Sequence, residues 1–116
     1  MKQTGLKNRF PKSVIEWWSV SEWFECLICR KNKWDCLHHI LSESTRFYIP
    51  GSHNKSILNS CPIHNNKCHL YNGAILHTKE MISKLLNEVE WILMKQGYPF
   101  SKVDKNFKKR YNKLYE

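Results

Sequence analysis

Two short turns constrain this chain more than any other feature. Cys26-Leu-Ile-Cys29 and Cys61-Pro-Ile-His64 share a two-residue spacing and stand 31 residues apart. A CxxC turn lets two thiolates grip one ion from a single knuckle, and a structural Zn²⁺ takes four such donors. The spacing therefore points to a structural zinc on Cys26, Cys29, Cys61 and His64. Cys68 is an alternative to His64 for the fourth place. Cys36 could also substitute, although inside a strand a lone cysteine more often acts as a small buried apolar residue. Five cysteines with no apolar leader ahead of them argue against a disulfide framework. Metal ligation or free thiols in a reducing cytoplasm is the expectation.

A chain of 116 residues suits one domain with a modest core. No apolar run approaches the length needed to cross a bilayer, so no membrane partner is expected. The net charge of +9 is unevenly spread. Residues 1–12 carry Lys2, Lys7, Arg9 and Lys12 with no acid, giving +4. Residues 97–116 carry Lys102, Lys105, Lys108, Lys109, Arg110 and Lys113 against Asp104 and Glu116, again +4. The 84 residues between hold nine basic and eight acidic side chains. Basic segments flanking a near-neutral middle suit a polyanion, because each Lys or Arg near a phosphate releases condensed counterions. Solubility alone is the plainer use of such charge. Lysines outnumber arginines fifteen to four, which fits point-charge phosphate contacts better than bidentate base readout.

Periodicity predicts an N-terminal aromatic helix over about 13–25, capped by Ser13, with Val14, Ile15, Trp17, Trp18, Trp23 and Phe24 on its apolar side. Adjacent Trp17 and Trp18 cannot both face inward, which leaves one of them for a partner. "CLICRKNKW" and "DCLHHI" read as a cysteine turn leading into a strand, and "SILNS" (56–60) as a second strand. Residues 41–55 read as a loop, and a helix is expected from near His64 to Gly73. Met81, Ile82, Leu85, Leu86, Val89, Ile92 and Leu93 then mark a helix over about 79–96 that Gly97 ends. Ser101 and Asp104 resemble a capping box opening a last helix over about 101–115, with Val103, Phe107, Tyr111 and Leu114 inward. The fold class is α+β, with a two-stranded zinc-stabilised core over about 26–77 among further helices.

With zinc on the two turns, His38, His39, Asn65 and His69 remain. Asn65 and His69 are four residues apart and share one face of the expected helix. Beside the strand bearing His38 and His39, they would gather three imidazoles and an amide oxygen. Such a set suits a second divalent ion plus a general base, since an imidazole titrates near neutrality. The order of these parts, "CLIC…LHHI…CPIHNNKCH", resembles the HNH endonuclease family of ββα-metal fold, in particular its zinc-stapled members of the phage recombination endonuclease type. The likeness covers about residues 26–69.

The resemblance implies His39 as the general base and His38 and Asn65 as ligands of a catalytic Mg²⁺ or another divalent ion, with His69 as a third ligand or a phosphate contact. It implies DNA as partner, in duplex or branched form, the cytoplasm of a bacterium or a phage-infected host cell as the setting, and products with 5′-phosphate and 3′-hydroxyl ends. A two-strand break from one active site would favour a homodimer. Three nitrogen- or amide-based ligands without a carboxylate would also admit Mn²⁺, Ni²⁺ or Co²⁺. Adjacent His38 and His39 point to opposite sides of a regular strand, so both can meet one phosphate only if the chain bends there. The family's bracing Asn, five residues before the second cysteine pair, is Ser56 here; Asn54, Ser56 and Asn59 are the candidates for that task. His53 and His77 read as surface residues. A zinc-stabilised nucleic-acid-binding module that does not cut is the alternative reading.

Overall fold

The computed structural model describes residues 10–41, 56–64 and 78–114, with the side chains of 113 and 114 left aside. The elements follow in order as α1 (Lys12–Val20), β1 (Cys36–His39), a 3-10 turn (Ile57–Asn59), β2 (Ser60–Ile63), α2 (Lys79–Lys95) and α3 (Lys102–Leu114). The described residues thus form a small α+β unit with a two-stranded antiparallel hairpin and three helices. Among them, no helix is long and apolar enough to cross a membrane.

α1 is shorter than its aromatic pattern predicts, and it starts one residue earlier. Pro11, not Ser13, occupies the cap position, and its carbonyl accepts from Val14 N at 3.0 Å. The helix stops at Val20 because Ser21 turns extended and its hydroxyl donates to the Trp18 carbonyl at 2.8 Å. Trp23 and Phe24 therefore lie outside the helix. The indole of Trp23 donates to the Glu25 carbonyl at 2.7 Å, and that of Trp34 to the Trp23 carbonyl at 2.9 Å. Of the adjacent tryptophans, Trp18 is fully buried. Trp17 is half-buried and packs edge-on against Trp18 and Tyr98, with ring centroids 5.2 and 5.3 Å away. Its edges are thus taken up within the fold.

β1 forms where the alternating "DCLHHI" stretch predicts it. β2 lies downstream of its expected place, at Ser60–Ile63 instead of 56–60. The cause is local: the Ser56 hydroxyl accepts from Leu58 N at 3.2 Å and winds 57–59 into a 3-10 turn before the chain can extend. The shift sets the register Cys36↔Ile63, Leu37↔Pro62, His38↔Cys61 and His39↔Ser60. Pro62 is tolerated because each strand of a two-stranded sheet is an edge.

α2 buries Ile82, Leu85, Leu86, Val89, Ile92 and Leu93, the stripe that spacing predicts, and packs on β2 and the 3-10 turn. Thr78 caps it through Met81 N, at 3.3 Å. Gly97 ends it at φ 74°, with Tyr98 N donating back to the Leu93 carbonyl at 2.9 Å. α3 opens on the expected Ser101–Asp104 box: Asp104 N donates to the Ser101 hydroxyl at 3.2 Å, and Ser101 N to Asp104 Oδ2 at 3.2 Å. Phe107 and Tyr111 face inward as expected, but Val103 is 40% exposed and Asp104 takes the inward place beside it.

A Cβ added at Gly97 would meet nothing within 4 Å, so only backbone strain opposes a substitution there. Gly97→Ala is expected to destabilise the protein by about 1 kcal/mol, read as a lower urea midpoint at unchanged slope.

Candidate functional site

The Cys26–Cys29 turn gathers backbone N–H groups around one sulfur. Ile28 N and Cys29 N donate to Cys26 Sγ at 3.3 and 3.4 Å, and Arg30 N donates to the Cys26 carbonyl at 3.1 Å. Arg30 closes the turn in the left-handed region, at φ 57°. Its guanidinium reaches Glu25 at 2.9 Å and Glu88 on α2. Burial pushes the Cys29 thiol up. Against this act N–H groups of Lys31 and Asn32, the Cys26 side chain and the Asn32 amide, and together they bring it down from the ordinary 9.0 to about 6.

The knuckle is docked on β2. Leu27 N donates to the Pro62 carbonyl at 3.0 Å, and Cys26 N to the Asn32 carbonyl at 2.9 Å. Pro62 directly follows Cys61, so the second pair of expected zinc donors belongs to the strand on which the first is seated. Cys26 and Cys61 are buried, and His64 is half-buried at the end of β2. Among the described residues, however, no group of three or more His, Cys, Asp or Glu gathers as a metal-holding set. Two thiols, a third thiol and an imidazole suit Zn²⁺ in donor chemistry. Of these, Cys26 and Cys29 share one hydrogen-bonded turn. Cys36 is buried in β1 with its thiol directed at the Ile63 carbonyl, 3.9 Å away, the setting of a small apolar residue. Cys68 lies outside the described residues.

His38 and His39 end β1 on opposite faces, as strand alternation requires. His38 is 3% exposed and pairs in register with Cys61. His39 is half-buried, in register with Ser60, and its ring stacks on Phe10 at 3.8 Å with 9° between the planes. On this face Trp18 reaches Ser60, its indole N–H donating to the hydroxyl at 2.7 Å. β1 is a regular paired strand through His39, so the bend that would turn both imidazoles to one side is not present there. Asn65, His69 and the helix expected from His64 to Gly73 lie outside the described residues, as do Asn54, His53 and His77.

Of the three candidates to brace the histidine strand, Asn59 does so among the described residues. Its side chain is fully buried; Oδ1 accepts from Leu41 N at 2.7 Å and Nδ2 donates to the Leu41 carbonyl at 3.2 Å. Its own carbonyl accepts from Ile40 N at 3.1 Å. The backbone directly after His39 is thus gripped at three points. Ser56 is engaged elsewhere, with Asp104. The 3-10 turn brings the Asn59 amide opposite Leu41.

The basic residues of α3 divide. Lys102, Lys105, Lys109 and Arg110 are exposed. Lys108 is half-buried and ion-paired with Glu90 of α2, so it belongs to packing more than to an open basic face. Lys113 has no described side chain, and the basic residues at 2, 7 and 9 lie outside the described residues. Comparisons with protein-family models, curated proteins and solved structures return no match for this chain.

Because the folded value of Cys29 lies below that of a free thiol, its thiolate favours the folded state above pH 9, and that contribution is lost as pH falls through about 6. In metal-free protein, iodoacetamide labelling of Cys29 is expected to rise with a midpoint near pH 6. Asn32→Ala, which removes the amide 3.7 Å from Cys29 Sγ, should move that midpoint up. A midpoint unchanged by the substitution would remove Asn32 from the account.

Proposed function

We propose that this protein is a metal-dependent DNA endonuclease of the HNH type. The observation that carries the reading is the Asn59 clamp on Leu41, two residues beyond His39. A buried amide that grips the backbone just behind a histidine also fixes where that imidazole stands, as a general base requires. Seating of the cysteine knuckle on β2 adds support, since it fixes the partner strand of the same hairpin.

In this reading His39 takes a proton from the attacking water. The water oxygen bonds to phosphorus as the bond to the 3′ oxygen breaks, and the leaving oxygen takes a proton from solvent water, giving 5′-phosphate and 3′-hydroxyl ends. His38, Asn65 and His69 are the residues proposed to hold the catalytic Mg²⁺ or another divalent ion, which when bound would offset charge on the scissile phosphate and leaving oxygen. Zn²⁺ on Cys26, Cys29, Cys61 and His64, or Cys68 in place of His64, would act as a structural staple. Phe10 stacked on His39 restricts rotation of the ring while leaving it half-buried. Lys102, Lys105, Lys109 and Arg110 are proposed to contact the DNA backbone without reading its sequence.

The non-cleaving nucleic-acid-binding module is favoured by one observation: His38 is buried on the face opposite His39. Nicking decides between the two. Supercoiled plasmid incubated with Mg²⁺ or Mn²⁺ should be nicked, EDTA should abolish the nicking, and His39→Ala should slow it by about a hundredfold or more. No nicking under any divalent metal would exclude the endonuclease, and full activity in His39→Ala would exclude this base. Binding is tested apart from cutting: Lys105→Ala with Lys109→Ala should lower the log–log salt slope of DNA affinity by about two.

A further inference from the structure

α3 lies outside the stretch that resembles a nuclease, yet one of its residues is hydrogen-bonded to the 3-10 turn that carries Asn59. Asp104 is 1% exposed, and five neutral donors converge on its carboxylate. Oδ2 accepts from Ser101 N at 3.2 Å, the Ser101 hydroxyl at 2.8 Å and the Tyr98 hydroxyl at 3.2 Å. Oδ1 accepts from the Ser56 hydroxyl and from Ile57 N, both at 3.0 Å. Capping α3 uses Oδ2 alone and could be done at the surface, where an exposed carboxylate keeps its hydration. Burying the group and turning its second oxygen on residues 56 and 57 serves something other than the cap.

That second oxygen holds the start of the 3-10 turn. Asn59 N donates to the Ser56 carbonyl at 3.2 Å to close the turn, and the Asn59 side chain grips Leu41. Direct hydrogen bonds thus run from Asp104 through Ser56 and Ile57 to Asn59 and on to Ile40 and Leu41. The two residues flanking segment 42–55, Leu41 and Ser56, are both held by this one network. We propose that Asp104 is a positioning residue for His39, setting the height of the 3-10 turn and through Asn59 the backbone behind the imidazole. The catalytic half of this statement rests on the nuclease reading; the mechanical half does not.

Amide hydrogen exchange and nicking kinetics test the two halves separately. Asp104→Asn puts an NH₂ group among five donors, so protection of Ile57 and Leu41 should fall while Val89 and Leu93 in α2 keep theirs. The kcat for nicking should drop by about tenfold or more, with KM for DNA within about twofold, because a misplaced group costs turnover before binding. A role in helix capping or general stability is distinguished by a pair of variants on the two oxygens. Ser56→Ala removes both the Oδ1 contact and the cap on Leu58 N and should lower Leu41 protection and kcat, with Asp104→Asn added to it lowering them less than Asp104→Asn does alone in the wild type. Tyr98→Phe, on the Oδ2 side, should change neither. Equal effects from the two would overturn the proposal, as would loss of Ile57 protection with Leu41 unchanged. If Asp104→Asn does not fold, the Ser56 and Tyr98 pair decides. A wild type that never nicks defeats the nuclease reading, and exchange at Leu41 then decides the mechanical half alone.

Discussion

The fold turns on a single buried amide. A four-residue ladder cannot hold a hairpin unaided, and where β1 ends the chain passes through Leu41, which is fully buried. The backbone N–H and carbonyl there need partners or cost about 1–3 kcal/mol each. A side chain with donor and acceptor side by side meets both, and Asn59 supplies them. The ladder is in effect lengthened by one rung made from a side chain. The rung comes from β2's own entry turn, so the position of β1 and the winding of 57–59 are solved together.

Around this hairpin the strong contributions are apolar. Trp18 is fully buried and also hydrogen-bonded to Ser60; a buried indole is worth about 3–5 kcal/mol against alanine. The α2 stripe adds six buried aliphatic residues against β2 and the 3-10 turn. By contrast, ion pairs such as Lys12–Glu16, with both side chains largely exposed, contribute from nothing to about 1 kcal/mol. Packing therefore decides the architecture, and the polar clamps decide its local geometry.

Much of the architecture was legible in the residues. The helix stripe ending at Gly97, the β1 strand, the cysteine turn and the Ser101–Asp104 box all rest on local chemistry, and all appear. What was not legible depends on distant partners. The register of β2 hinges on Ser56 capping Leu58 and on Asp104, 47 residues beyond Ile57, binding its N–H. The end of α1 hinges on Ser21 competing for a carbonyl. Val103 reads as core by apolarity, but the carboxylate beside it had five donors to meet and took the inward place. For the site, alternation put His38 and His39 on opposite faces and the register keeps them there. The bracing by Asn59 depends on a turn that periodicity does not encode. Asn65 and His69 lie outside the described residues, so their placing rests on resemblance alone.

Arg30 gives the cysteine knuckle a character that its two thiols do not reveal. Its left-handed backbone is a conformation that glycine adopts freely and other residues reach at a cost of about 1–2 kcal/mol. Its side chain crosses to Glu25 and to Glu88 on α2, which glycine could not do. Local strain in the turn is thereby exchanged for a tether to the main helix. The knuckle is leashed at both ends of its span, to β2 through Leu27 and to α2 through Arg30. Any ion gripped there would be felt by the helical scaffold as well as by the hairpin.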